Sequence, residues 1–235
     1  GVHHAMNLMG IDGNYGPNRK AVVISFGSVS RGAIRALQAR GIQDITVFTQ
    51  RHYFLVADQM AGVNYRQFDE DEKGNLMSLH PDHQPRPFVE ELTDVDIIVN
   101  GMLQDTDHPL MLVKEDQNDL LKPGCLIIDI SCDEGMGFSF AKPTNFEEPI
   151  FKVGKLFYYA VDHSPSYLWN AATWEISNNL TPYLPIIMEG PEKWEESETI
   201  RRAIEIKDGI IQNQKITSFQ NRSSDYPHRE ISAAP

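Results

Sequence analysis

Short apolar runs alternate with amphipathic stretches through the first two-thirds of this 235-residue chain. Strands that are apolar throughout are typical of parallel sheets buried on both faces. The pattern predicts strands at 21–26, 44–49, 63–68, 96–100, 125–131 and 157–161, and helices at 29–39, 88–92, 112–121 and 165–182. Such alternation indicates an α/β fold, a Rossmann-type doubly wound parallel sheet with helices on both faces.

Polar segments interrupt and follow this pattern. Residues 69–87 are acidic and contain several prolines, which indicates a solvated loop or an extended insertion. A charged helix is predicted at about 195–206, and the tail from residue 221 is expected to be disordered or held by a partner. The predicted domains are a linking helix and linker at 1–19, a dinucleotide-binding domain at 20–188 and a C-terminal helical extension at 189–235.

Composition narrows the class of protein. The formal net charge of −12 argues against nucleic acid or an anionic membrane as a partner. No apolar run approaches the roughly 20 residues of a membrane span and no signal peptide is apparent, so a cytoplasmic protein is expected. Cys125 and Cys132 are predicted to be reduced core residues. His80 and His83 have ligand chemistry, but the prolines around them break any helix that would align them, so no metal site is predicted.

The most informative segment follows the first predicted strand. Serine, glycine and serine fill the three small-residue positions of a G-x-G-x-x-G frame, immediately before a helix. Such a turn offers backbone N–H groups at a helix N-terminus to a pyrophosphate. The predicted cofactor-binding residues of this turn are Ser25, Gly27, Ser28, Val29, Ser30 and Arg31. Gly32 is expected to be a small residue where the helix packs on the sheet.

The end of the second predicted strand indicates which dinucleotide is bound. NAD-binding folds place an acidic residue there to hold the ribose 2′-hydroxyl. This chain has Thr49, Gln50 and Arg51 instead, and an arginine suits a 2′-phosphate. We therefore predict NADP(H) as the cofactor, with these three residues in contact with it. Arg31 could also reach the phosphate, while a solvated position remains the alternative for either arginine.

Ligands of doubly wound sheets bind beyond the carboxyl ends of the strands. Glycine-rich and polar segments follow the last three predicted strands, so they are expected to converge beside the nicotinamide half of the cofactor. The candidates for cofactor binding are Asn100, Gly101, Met102, Leu103, Ser131, Asp162, His163, Ser164 and Pro165. A histidine at such a site can donate to a carboxamide or carry a proton. Two simpler readings stay open, the glycines as turn residues and Asp162 as a helix cap.

Two motifs resemble a known family. Residues 124–135 (GCLIIDISCDEG), followed by the KPT of 142–144, resemble the late part of the alanine dehydrogenase/pyridine nucleotide transhydrogenase superfamily. Residues 162–166 (DHSPS) resemble a motif of its saccharopine dehydrogenase branch. Over about residues 1–220 the chain is most similar to the opine-forming subgroup, the N5-(carboxyethyl)ornithine synthases.

The resemblance implies an activity and two catalytic residues. The implied reaction is an NADPH-dependent reductive condensation of an α-keto acid, such as pyruvate, with the side-chain amine of ornithine or lysine. By position, Asp133 matches the family aspartate beside nicotinamide and substrate, and His163 replaces an asparagine that contacts the cofactor. The alternatives are an enzyme of the alanine or saccharopine dehydrogenase type and a non-catalytic nucleotide-binding module.

Members of the family carry an N-terminal catalytic domain before the helix that begins here at Val2. The resemblance therefore implies that this sequence is the cofactor-binding portion and that it needs an N-terminal half for catalysis. The expected partners are a keto acid, an amino acid, that half and further copies of the chain.

Overall fold

The structure is a computed structural model that describes residues 1–80 and 84–231. The chain forms two compact units. The first, called the Rossmann unit, contains residues 1–104 and 109–167, and the second, the C-terminal unit, contains residues 105–108 and the chain from 168 onward. The division predicted at 188/189 does not coincide with these units, because residues 168–188 group with the helices that follow them.

A nine-stranded mixed sheet forms the centre of the Rossmann unit. In chain order the strands of this unit are β1 (Lys20–Ile24), β2 (Asp44–Thr49), β3 (Asn64–Glu70), β4 (Leu76–Leu79), β5 (Arg86–Pro87), β6 (Ile97–Asn100), β7 (Met111–Val113), β8 (Leu126–Asp129), β9 (Gly137–Phe138), β10 (Ile150–Val153) and β11 (Leu156–Tyr159). The parallel strands lie in the order β3-β2-β1-β6-β8-β11, while β7 and β9 pair separately. This is the 3-2-1-4-5-6 order of dinucleotide-binding sheets, so the predicted fold class is confirmed.

Each predicted strand is present, with ends displaced by at most two residues. The expectation of a loop at 69–87 was wrong for the described part, because β4 and β5 extend the sheet antiparallel beyond β3. Strand β10 was also missed, and it pairs antiparallel with β11 at the other edge. A polar residue interrupts β4 (Ser78) and β10 (Lys152), and β5 has only Arg86 and Pro87, so these edge strands lack the continuous apolar run by which the central strands are recognised.

The two faces of the sheet are covered differently. Helices α1 (Val2–Leu8) and α2 (Ser28–Ala39) bury apolar residues in the core of one face. The core of the other face includes buried residues of the 3₁₀ helix Phe88–Leu92 and of β7 and β9. The α-helix predicted at 112–121 was wrong: β7 takes the apolar start, and the remainder, the 3₁₀ helix Glu115–Leu120, buries no residue.

The C-terminal unit consists mainly of short helices. They are α3 (Trp169–Leu180), α4 (Leu184–Glu189), α5 (Pro191–Trp194), α6 (Glu198–Ala203) and α7 (Gln214–Phe219), with a hairpin of β12 (Ile206–Lys207) and β13 (Ile210–Ile211). The long helix predicted from residue 165 begins instead as a 3₁₀ helix at Ser164–Leu168 and continues as α3. The charged helix predicted at 195–206 is shorter, because α6 ends before the hairpin.

The tail from residue 221 is folded as far as the structure describes it, contrary to the expectation of disorder. His228 is buried, and its Nε2 accepts a hydrogen bond from the Ile211 N–H at 3.0 Å. The Asn221 carbonyl accepts one from the Ile231 N–H at 2.7 Å. Polar backbone contacts of this kind leave no apolar periodicity in the sequence.

Within residues 1–80 and 84–231, no helix is long and apolar enough to cross a membrane.

Candidate cofactor site

The turn between β1 and α2 has the geometry of a phosphate-binding turn. Ser25 has φ 79°, a left-handed conformation that glycine adopts most readily, as expected for the first small-residue position of the frame. Gly27 is the N-cap of α2, with no side chain capping the free N–H groups. A Cβ at Gly27 would meet no atom within 4 Å, so a ligand can approach the backbone there. Ser28 and Val29 follow on the exposed first turn, where their N–H groups can face an anion.

Helix α2 approaches the sheet closely at Ser30 and Gly101. Ser30 is fully buried, and its hydroxyl donates to the Ile24 carbonyl at 3.4 Å. A Cβ at Gly101 would lie 2.5 Å from Ser30 Oγ, so glycine at this position leaves room for the serine hydroxyl where it now lies. Gly32, which was expected to make this contact, is exposed, and a Cβ there would meet no atom within 4 Å. That prediction was wrong because Gly32 lies on the solvent side of α2.

A cleft of about 390 Å³ opens beside the turn. It is lined by Ser25, Phe26, Gly27, Arg31, Thr49, Gln50, Arg51, Val56, Ala57, Phe68 and Met102. Seven of these were predicted to contact the cofactor, so the sequence motifs of β1 and β2 meet in one cavity. The sequence analysis missed Val56, Ala57 and Phe68, which belong to no motif. The alternation of polar and buried residues along β3 is the signal that could have placed Phe68 inside.

The two arginines of the cleft differ in their partners. The Arg31 guanidinium donates to the carbonyls of Ala57 at 2.8 Å and Asp58 at 2.7 Å, and it lies 4.1 Å from the ring centroid of Phe26. The Arg51 side chain is exposed and makes no hydrogen bond or ion pair within residues 1–80 and 84–231. The Thr49 hydroxyl donates to the Arg51 carbonyl at 2.5 Å, which fixes the turn after β2. Arg51 is therefore the cation of this cleft that is available to an anion.

At the other end of the crevice, the loops after β6 and β8 share one buried carboxyl group, that of Asp129. This group is 1% exposed at the end of β8. Its Oδ2 accepts a hydrogen bond from the Tyr158 hydroxyl at 2.7 Å. Its Oδ1 accepts from Asn100 Nδ2 at 3.0 Å and from the N–H groups of Ser131 and Cys132 at 3.1 Å. Side chains of three neighbouring strands thus meet at this point.

The same network holds the predicted cofactor loop after β6. Asn100 Oδ1 accepts from the Met102 N–H at 3.2 Å, and the Ser131 hydroxyl donates to the Met102 carbonyl. Met102 is buried, whereas Leu103 beside it is 97% exposed. The loops that follow β6 and β8 are therefore fixed to each other, and Leu103 projects into solvent.

Burial is the main cause of the pKa shifts of the titratable side chains at this end of the crevice. Burial raises the pKa of Asp129, although its four hydrogen bonds act in the opposite direction. The pKa of the Tyr158 hydroxyl is raised by burial and by the charge of Asp129. Both cysteines are free thiols, as predicted, and Cys132 is half-buried. Its pKa is raised to about 11, first by burial and then by the charges of Asp162, Asp129 and Asp133, so these carboxylates surround one thiol.

The two predicted catalytic residues are both exposed. Asp133 lies in the loop after β8, and His163 follows β11 with φ 56°. Asp162 binds His163 through a carboxylate–imidazole contact of 3.4 Å (Oδ2 to Nε2) and a hydrogen bond of 2.8 Å from the His163 N–H. No hydrogen bond joins Asp133 to His163 in the described part of the chain. Ser164 is buried and Pro165 exposed at the start of the 3₁₀ helix.

The structure offers no metal site among the residues it describes, since no group of three or more His, Cys, Asp or Glu side chains is suitably arranged in 1–80 and 84–231. His83, the second histidine of the predicted pair, lies outside those residues. His80 Nε2 lies 2.6 Å from Glu91 Oε1.

Comparison with known proteins decides the family. The family "alanine dehydrogenase/PNT, C-terminal domain" matches residues 17–214. The chain belongs to this family. It is 35% identical over 95 residues to the N(5)-(carboxyethyl)ornithine synthase of Clostridium botulinum, which covers 40% of this chain and 30% of that protein. It is 24% identical over 149 residues to alanine dehydrogenase 1 of Staphylococcus aureus, which covers 63% of this chain and 39% of that protein.

Solved structures show the same fold. An L-alanine dehydrogenase superposes with a TM-score of 0.65 at 16% identity, over 85% of this chain and 52% of the other. The transhydrogenase from Sinorhizobium meliloti superposes with a TM-score of 0.54 at 19% identity, over 72% of this chain and 45% of the transhydrogenase chain. The chain spans about a third of the curated relatives and about half of these structures. It contains the dehydrogenase-type domain of the alanine dehydrogenase family, which binds a nicotinamide cofactor.

Proposed function

We propose that this domain binds NADP(H) and serves the reductive condensation of an α-keto acid, such as pyruvate, with the side-chain amine of ornithine or lysine. The family assignment leaves both the 2′-phosphate and the substrates open. The identity of 35% to a carboxyethylornithine synthase supports the substrate class. The chemistry of the cleft beside β2 supports NADP(H) as the cofactor.

The observation that carries the cofactor proposal is the free guanidinium of Arg51. It lines the cleft at the end of β2, and neither Thr49 nor Gln50 beside it is acidic. A carboxylate there would repel a 2′-phosphate, whereas a guanidinium can bind it with charge-assisted hydrogen bonds. The other arginine of the cleft, Arg31, is already bound to two carbonyls and stabilises the wall of the cavity instead.

The remaining candidate residues would have separate roles along the crevice. The N–H groups at the start of α2 would bind the pyrophosphate, and the loop after β6 would line the nicotinamide half. When bound, the reduced nicotinamide supplies the hydride for the imine. His163, exposed and beside Asp162, would hold or pass a proton, and Asp133 would orient the substrate amine.

A titration with NADPH and NADH tests the cofactor. We expect NADPH to bind at least tenfold more tightly, a difference of about 1.4 kcal/mol. Arg51→Ala should weaken NADPH binding and leave NADH unchanged. Arg35→Ala is the matched control, because Arg35 is exposed on α2 and does not line the cleft. Equal affinities for both nucleotides, or equal effects of the two variants, would contradict the proposal.

The substrate class is tested by NADPH consumption with pyruvate and different amines, after the expected N-terminal half has been supplied. Consumption with ornithine or lysine, and little with ammonia, is the expected result. Consumption with ammonia alone would favour an alanine dehydrogenase activity, the second candidate, which the longer alignment with alanine dehydrogenase 1 supports. Tight NADPH binding without consumption in either case would favour a nucleotide-binding module that needs a further domain for catalysis.

A further inference from the structure

The buried carboxyl of Asp129 has no cationic partner in residues 1–80 and 84–231. Its four hydrogen-bond donors are a tyrosine hydroxyl, an asparagine amide and two backbone N–H groups, all uncharged. The carboxylate of Asp96, at the opposite end of β6, is bound instead by Arg19 at 3.2 Å and Lys122 at 3.1 Å. Two buried carboxyl groups of one sheet are thus stabilised in different ways.

The hydrogen bonds indicate that Asp129 is ionised. Three N–H groups donate to Oδ1, and the Tyr158 hydroxyl donates to Oδ2, so both oxygens act as acceptors. A carboxylate accepts all four bonds, whereas a carboxylic acid would have to donate from Oδ2 to the Tyr158 oxygen. The tyrosine proton would then have no acceptor among the described residues. A buried anion without a counter-ion is costly, and the cost falls when a positive charge is placed nearby.

We infer that the Asp129 carboxylate is the counter-charge for the oxidised nicotinamide ring and sets the relative affinity for oxidised and reduced cofactor. This inference rests on the proposed function, which puts the nicotinamide half beside the ends of β6 and β8. The oxidised ring carries a positive charge that the reduced ring lacks, so a buried anion beside it favours the oxidised form alone. Salt screens the interactions of buried charges much less than those of exposed charges.

The test is the ratio of the dissociation constants for NADP⁺ and NADPH, measured at pH 8. Asp129→Asn should move this ratio about tenfold towards the reduced cofactor, because the variant removes one unit charge from beside the ring. A merely structural role would change both constants by the same factor. Asp116→Asn is the matched control, because Asp116 is exposed on the 3₁₀ helix after β7 and should leave the ratio unchanged.

A second variant covers the case in which Asp129→Asn fails to fold. Tyr158→Phe keeps the carboxylate and removes one donor that partly neutralises it, so the ratio should move about twofold towards the oxidised cofactor. An unchanged ratio in a folded Asp129→Asn protein, or a Tyr158→Phe ratio that stays constant or moves towards the reduced form, would overturn the inference. Failure of the unaltered protein to bind either nucleotide would instead contradict the proposed function and remove the inference with it.

Discussion

The two ends of the cofactor crevice are built in different ways. At the end beside β1 and β2, the phosphate-binding turn belongs to one contiguous β-α-β segment, residues 20–49, and presents backbone N–H groups. The end beside β6 and β8 depends on Asn100, Asp129 and Tyr158, side chains from three separate strands. A site made of backbone follows from a local sequence, whereas a site made of side chains follows from the register of the sheet.

The two ends also differ in charge. The first has Arg31 and Arg51 in its cleft, and the second has Asp129, Asp133 and Asp162 around one thiol. A cofactor with phosphates at one end and a nicotinamide ring at the other would match this division. Local cations at the phosphate end would also offset the repulsion expected from a chain of net charge −12.

The largest effect is expected where the two ends meet, at Gly101. In Gly101→Ala the new Cβ would lie 2.5 Å from Ser30 Oγ, so the Ser30 hydroxyl must leave its hydrogen bond to the Ile24 carbonyl, or the loop or the helix must shift. Overpacking of this kind costs about 1–3 kcal/mol of unfolding free energy. Urea denaturation measures the loss.

A compensating variant separates this contact from other effects at Gly101. Ser30→Gly removes the hydroxyl group that collides with the new Cβ. The double variant Gly101→Ala/Ser30→Gly should therefore lose less unfolding free energy than the two single variants lose together. Strict additivity of the two losses would show that the close approach does not determine the identity of residue 101.

The next effect concerns the nicotinamide end alone. Tyr158→Phe removes the hydrogen bond to the Asp129 carboxylate and should cost about 2 kcal/mol at pH 7, within the range for bonds to charged groups. Burial already raises the pKa of Asp129 in the folded protein, and losing this donor raises it further. Ionisation of Asp129 therefore destabilises the folded protein. Its free energy of unfolding falls as the pH rises from about 3.9, the ordinary aspartate pKa, through the raised pKa of the folded state, and the loss is absent below both pKa values.

Stability measured at pH 4 and pH 7 checks this sign, since the cost of Tyr158→Phe should be smaller at pH 4. Tyr65→Phe is the control: its hydroxyl accepts a hydrogen bond from the Met60 N–H at 2.8 Å and contacts no carboxylate, so its cost should not change with pH. A cost of Tyr158→Phe that is the same at both pH values would mean that Asp129 does not change its protonation state between them, which would contradict a raised folded pKa with ionisation at pH 7.

The difference between the two ends of the crevice also determines which features could be predicted from the sequence. Strand β2 and helix α2 were placed almost to the residue, because an apolar run, a glycine turn and an amphipathic helix are all local signals. Asn100 was proposed for its position after a strand, but its partner lies 29 residues away, and Tyr158 was not singled out at all. Such pairs become visible only when the parallel register places Asn100 opposite Asp129.

The role of Gly32 shows the same limit at shorter range. A small residue near the start of a helix could pack on the sheet or face solvent, and one residue of offset decides which. Helix α2 turns Ser30, Ala33 and Ile34 inward and leaves Gly32 exposed. The apolar positions Ala33, Ile34 and Leu37 set the phase of the helix, and that phase puts Gly32 on the solvent side.

The smallest expected effect tests the backbone character of the phosphate end. Ser25→Gly should stabilise the protein by about 0.5–1 kcal/mol, because a non-glycine residue at φ 79° is strained and glycine is not. The gain is limited because glycine also increases the conformational entropy of the unfolded chain. Ser28→Gly, in the ordinary first turn of α2, should instead be destabilising by a few tenths of a kcal/mol. If the turn acts through its N–H groups, Ser25→Gly should retain nucleotide affinity; a clear loss would show that the Ser25 hydroxyl itself binds the ligand.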